Sequence, residues 1–129
     1  MRLRYLPLRG ILKPIVGVTV LGARIANARA LVDSGADFSL FDATIAAYAG
    51  IEFDPRLRRR VSGVGGAITV DGAWVDTIVA KHRLRLLMFF APDLPINLLG
   101  RDNFFHFFRV GFDELDHQIE LRYRRGPHR

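Results

Sequence analysis

Apolar and polar positions alternate in short runs along most of the chain. Ile11 to Leu21 alternates and is rich in Val and Ile, which predicts a strand. Leu21-Gly22-Ala23 is a turn signal, and Arg24 to Val32 predicts the returning strand. Asp33 to Asp37 is small and polar, a tight loop between apolar runs, and Phe38 to Phe41 is short and apolar. Asp42 and Gly50 then bracket Ala43 to Ala49 as N-cap and C-terminal glycine of a short helix. Asp54-Pro55 predicts a turn. Strands follow over Arg58 to Ser62 and Ala67 to Ala80, the second interrupted near Asp71-Gly72. Gly63-Val64-Gly65-Gly66 joins them as a hairpin tip.

The next run, Arg83 to Phe90, is an apolar strand whose Leu86 to Phe90 stretch belongs in a core. Ala91 to Pro95 is a loop, and Ile96 to Leu99 a buried strand that stops at Gly100. Arg101 to Phe108 predicts a helix with most of its phenylalanines facing inward. Arg109 to Glu114 and Gln118 to Tyr123 form a terminal hairpin around Leu115-Asp116-His117. The sum is mainly β, with many short strands and two short helices.

A chain of 129 residues, half of them apolar, fits one domain over residues 1–129 with an ample core. It has no 18-residue apolar stretch and no Cys. A spanning helix, disulfides, a thiol nucleophile and a Cys-ligated metal are therefore excluded. The net charge is +6, carried almost wholly by Arg, with clusters at Arg56, Arg58, Arg59 and Arg60 and in the tail at Arg122, Arg124, Arg125 and Arg129. These clusters read as solvated faces. The aromatics are mostly Phe in apolar runs rather than platforms interleaved with Arg, so no nucleic-acid partner is expected. The four His (His82, His106, His117, His128) are scattered and form no ligand spacing. Arg2, Arg4 and Arg9 ahead of Ile15 to Ala23 and Ala26-Asn27-Ala28 outline a weak signal-peptide pattern. The late Lys13-Pro14 and the glycines in the run argue against it, and a cytoplasmic location is the expectation.

The segment richest in chemistry is Ala30-Leu31-Val32-Asp33-Ser34-Gly35-Ala36-Asp37. An apolar strand drives a carboxylate into a Ser-Gly turn. Gly35 lets the backbone turn sharply, and Ser34 can bond within the turn. A carboxylate at the end of a buried strand is costly unless partnered, which makes it a candidate functional group. An Asp-Ser-Gly turn is also common as plain structure. Two further segments follow in order: the Gly-rich Val61 to Ile68, and Ile96-Asn97-Leu98-Leu99-Gly100-Arg101-Asp102.

In that order and at those separations the three segments resemble the retropepsin-like, retroviral-type aspartic proteases, as a free-standing cellular or bacterial member. Leu31 to Asp37 resembles the family's active-site loop, Val61 to Ile68 its flap, and Leu98 to Asp102 its apolar-apolar-Gly-Arg-Asp/Asn signature. The resemblance spans roughly residues 11 to 110. It implies a retropepsin-like closed β barrel with a short C-terminal helix, and an aspartic endopeptidase that works as a homodimer on peptide or protein substrates. It implies no metal and no cofactor. Asp33 matches the catalytic carboxylate, with Ser34, Gly35 and Ala36 completing the active-site loop. The Ser34 hydroxyl matches the one that locks two such loops across the dyad. Asp37, Gly63, Val64 and Gly65 match substrate-binding positions. Asp37 and Arg101 match an ion pair, expected to be partly buried and bidentate.

The sequence supports the homodimer that the resemblance implies, since the family's chemistry needs two carboxylates and one Asp-Ser-Gly is present. Three departures stand out. Ser34 replaces the commoner Thr. Phe38 stands where some viral members have a second acid. The terminal hairpin is longer than the short interleaved strands of viral members. A catalytically weak peptide-binding or dimerisation module on the same fold is the alternative.

Overall fold

The computed structural model describes residues 1–63 and 65–124. Val64 at the expected hairpin tip, and Arg125, His128 and Arg129 of the tail, lie outside them. In chain order the elements are β1 (Arg2–Arg4), β2 (Leu6–Leu8), β3 (Ile11–Lys13), β4 (Ile15–Leu21), β5 (Ile25–Val32), β6 (Ser39–Asp42), α1 (Ala43–Ala49), β7 (Asp54–Gly63), β8 (Gly66–Val79), β9 (His82–Ala91), β10 (Asn97–Leu99), α2 (Phe104–Phe107), β11 (Phe108–Asp113) and β12 (Gln118–Tyr123).

Seven strands form one sheet in the order β4-β5-β10-β6-β9-β8-β7, and β4 also pairs with β8 at Thr19 to Leu21. That second pairing curls the sheet into a nearly closed ring, compatible with a retropepsin-like β barrel. The short β10 is inserted between β5 and β6, parallel to one and antiparallel to the other, with Leu98 opposite both Leu31 and Leu40. A second sheet, β1-β12-β11, joins the two ends of the chain, and β2 and β3 form a separate hairpin. Among the described residues, no helix is long and apolar enough to cross a membrane.

The apolar run in β9 has a direct cause. Leu84, Leu86, Met88 and Phe90 enter the main core, while Leu87, Phe89 and Ala91 on the opposite face enter a second cluster with Val70. A strand buried on both faces loses its alternation. Phe38, Leu40, Leu57 and Val61 pack against the second cluster. The continuation of the Asp33–Asp37 loop and the β7 strand therefore share one small core.

α1 has the expected bounds. Asp42 Oδ1 accepts from the Thr44 N–H at 2.9 Å and from its hydroxyl at 2.7 Å, and Gly50 closes the helix at φ 71°. Those bonds, with one from the Leu94 N–H, hold the Asp42 carboxyl below the ordinary carboxylate range.

Several expected elements differ. The Ile11 to Leu21 strand breaks at Pro14, which has no N–H to give a ladder. β8 runs unbroken through Asp71-Gly72, because Gly72 lies against the Phe89 ring and Leu57 and adds a close approach rather than a bend. The helix expected over Arg101 to Phe108 shrinks to one turn. Asn103 makes no side-chain cap, and Phe108 is drawn into β11 opposite Tyr123.

The terminal sheet carries a titratable anchor. Tyr5 is buried, its N–H donates to the His117 carbonyl at 2.8 Å, and its hydroxyl donates to Glu114 Oε1 at 3.0 Å. Burial, then the Glu114 bond and the charges of Glu114 and Asp113, push the phenol up to about 12. An unfolded tyrosine ionises near 10. The Tyr5 contribution to stability is thus complete below about pH 10 and lost as pH rises towards 12. Urea midpoints of wild type and Tyr5→Phe at pH 9 and pH 11 check this: the wild type falls more steeply over the interval.

Candidate active site

β5 ends at Val32, and Asp33 follows where the strand leaves the sheet. The Asp33 N–H still donates to the Leu99 carbonyl at 3.0 Å, so the residue keeps the geometry of the strand pair behind it. The chain then turns. Ala36 N–H donates to the Asp33 carbonyl at 3.2 Å, and Gly35 N–H donates to Asp33 Oδ1 at 2.9 Å. One carboxylate oxygen is thereby fixed by the turn, which sets the side chain's direction. Asp33 is half-buried, while Ser34 and Gly35 are exposed. Among the described residues the Ser34 hydroxyl has no hydrogen-bond partner.

The loop rests on the third motif. Arg101 N–H donates to the Ala36 carbonyl at 2.9 Å, and Asp102 N–H to the Asp37 carbonyl at 2.8 Å. Phe38 and Asp102 form a parallel bridge. Gly100 is buried directly under Phe38, where any Cβ would run into the Phe38 carbonyl. Its N–H donates to the buried Ser39 Oγ at 3.1 Å. Sequence reading therefore finds Asp33 to Asp37 and Gly100 to Arg101, and the structure lays the two segments side by side.

The Asp37–Arg101 pair takes a different form from the one expected. Arg101 Nη1 lies 3.8 Å from Asp37 Oδ1, with the two side chains 64% and 84% exposed. It is an open, single contact rather than a buried fork, because both side chains leave the same outer surface of the loop. Exposed pairs of this kind contribute about 0–1 kcal/mol. With Ser34, Asp102, Phe105 and His106, the pair lines an open hollow of about 570 Å³ beside the loop.

Gly63 and Gly66 face each other across the β7–β8 ladder, and Gly65 has φ 94°. The base of this hairpin is tied to the loop by a contact that sequence reading missed. The Arg59 guanidinium lies 5.5 Å from the centre of the Phe38 ring and 4.9 Å from that of Phe89, and the two rings are 4.9 Å apart. Arg56, Arg58, Arg59 and Arg60 are all exposed, as expected of a solvated cluster, but their contacts differ. Arg56 pairs with Asp54 at 2.9 Å, Arg58 with Asp71 at 3.6 Å, and Arg59 spans two rings. Replacing Arg59 with Ala is expected to cost about 1 kcal/mol in urea and to speed amide exchange at Arg60 to Ser62. Unchanged exchange there would show that the contact does not hold the hairpin base.

Two asparagines were also missed. Asn97 Oδ1 accepts from the Asp42 N–H at 2.8 Å while its amide donates to the Arg29 carbonyl at 2.9 Å, fixing the approach to β10. Buried Asn103 accepts from Leu87 N–H at 3.0 Å and donates to the Arg85 carbonyl at 3.2 Å. The signal at Asn97 was polarity between Ile96 and Leu98, whereas Asn103, following Arg101 and Asp102, gave none.

Comparison with curated proteins finds no match. The family described as aspartyl protease matches residues 16–102, a span running from β4 through all three motifs to Asp102. With an Asp33 turn, a Gly-tipped hairpin and a Gly100-Arg101 support all inside a match covering more than half of the chain, this protein belongs to the aspartyl protease family of the retropepsin-like clan.

Proposed function

We propose that the protein is an aspartic endopeptidase that acts as a homodimer, with Asp33 of each protomer forming the catalytic pair. The observation that carries this is the Asp33 carboxylate held by its own Ser-Gly turn on a loop buttressed by Leu99 to Asp102. Family membership supports peptide hydrolysis in general. The single Asp-Ser-Gly of the chain supports the dimer. Two like carboxylates brought close hold one proton between them. The ionised one takes a proton from water, the water attacks the scissile carbonyl, and the protonated one donates to the carbonyl oxygen; the first then passes its proton to the amide nitrogen as the C–N bond breaks, and the second takes a hydroxyl proton back from the diol, restoring the pair. Ser34, whose hydroxyl is unpartnered among the described residues, would bond across the two-fold axis. The β7–β8 hairpin, with Gly63, Val64 and Gly65, would fold over a substrate lying as an extended strand. Asp37 would bind the substrate main chain beside Arg101.

The test is cleavage of a diverse peptide mixture between pH 4 and 7, read by mass spectrometry, alongside sedimentation of the same sample. Cuts abolished by a statine-type transition-state analogue are expected. A dimer that binds peptide without cutting would replace this reading with that of a binding module.

A further inference from the structure

The described surface holds a second, larger groove, away from Asp33, that no step of peptide hydrolysis uses. It has a volume of about 880 Å³. Its floor crosses the outer face of β4 and β5, where Gly17 stands opposite Arg29 and Thr19 opposite Asn27. Leu6 and Leu8 of the β2–β3 hairpin wall one side, and Lys81 and Leu94 contribute to the rim.

Four features point to an occupant. The first is Gly17 itself. Glycine weakens a strand interior and often marks a place where another chain comes close. Here nothing in the protein demands it: a Cβ at Gly17 would meet no atom within 4 Å, and its φ is not in the left-handed region. The second is an open strand edge. β8 pairs with β4 only at Thr19 to Leu21, so Ile15 to Val18 has a ladder partner on the β5 side alone. The third is the β2–β3 hairpin, which joins no other sheet and leaves Ile11 61% and Leu12 42% exposed. Two-stranded hairpins are marginal without support. The fourth is charge. Arg29 and Lys81 have no acidic partner among the described residues. Asn27 Oδ1 accepts from the Thr19 hydroxyl, leaving the Asn27 amide N–H groups without an acceptor there. The carboxylate in the groove, Asp42, is already engaged by Thr44 and Leu94.

We infer that this groove docks an extended acidic peptide segment of a partner protein. Its main chain would add to the open edge of β4, an apolar side chain would settle over Gly17, and an Asp or Glu would meet Arg29 and Lys81. A strand edge beside the groove favours a peptide over a compact small anion.

A phage-displayed library of random decapeptides panned on the full chain tests this. Enriched clones are expected to carry Asp or Glu between apolar residues. Their synthetic peptides, titrated by fluorescence anisotropy, are expected to bind Gly17→Trp and the Arg29→Glu/Lys81→Glu double variant at least about tenfold more weakly. The Arg29 and Lys81 changes are on exposed side chains, so they probe the groove even if Gly17→Trp disturbs β4. Clones that bind every variant equally sit elsewhere, including in the proposed substrate cleft, and a selection yielding only those overturns the proposal. So does a selection without acidic residues, or displacement of the peptides by equimolar citrate. Binding is read without turnover, so failure here leaves the protease reading standing, and the reverse.

Discussion

Under the proposed mechanism, Asp33→Asn is expected to lower kcat/KM for peptide cleavage by at least about a thousandfold, the scale for loss of a group acting directly on the reacting atoms. Asparagine is the informative replacement. The Gly35 N–H donates to Asp33 Oδ1, and an amide oxygen at the same position keeps that bond and the turn it closes. Alanine would remove the bond along with the charge and confuse a misplaced loop with missing chemistry. The urea midpoint of Asp33→Asn should therefore stay within about 0.5 kcal/mol of wild type. Cleavage that persists in this variant at the wild-type rate would sink the proposed mechanism.

Gly100→Ala is the second large effect, and it acts through the fold. A Cβ there has no room, because the atoms in its way belong to the Phe38 main chain rather than to a side chain that could swing aside. Relief requires the Phe38 segment to lift off Gly100. That movement would strain the Ser39 bond to the Gly100 N–H and the ladder from Ala36 and Asp37 to Arg101 and Asp102. A loss of about 3 kcal/mol is expected, the upper end of ordinary overpacking. Thermal unfolding measures the loss, and cleavage per folded molecule should fall as well, since the displaced segment is the one that carries Asp37. A variant as stable as wild type would show that the two segments are not in rigid contact.

The loop, its supporting strand and α1 were legible because their signals are local. Asp42 and Gly50 bracket one helix with its own cap bonds, and Asp33 to Gly35 closes its turn within three residues. What sequence reading missed depends on partners far along the chain. β1 and β2 give no local pattern, and β1 exists because Glu120, Ile119 and Gln118 lie opposite it. The Phe run after Arg101 has helical spacing, yet Phe108 is claimed by Tyr123 and the helix ends early. The Asp37–Arg101 contact was placed in the right neighbourhood but with the wrong exposure, which depends on how the whole surface is shaped. Arg59 looked like one of four equivalent cations, and only the meeting of β7 with Phe38 and Phe89 distinguishes it.

The terminal sheet also orders events in time. Arg2 pairs with Glu120, and the amino group of Met1 donates to the Leu121 carbonyl at 2.8 Å, so these contacts close a loop of nearly the whole chain. The entropy of closing so long a loop is recovered only when everything between is already compact. β1, held by three ladder positions, is thus expected to dock late in folding, and amide exchange at Arg2 to Arg4 faster than in β9 would show it. β1 therefore has no ladder partner until β12 is in place.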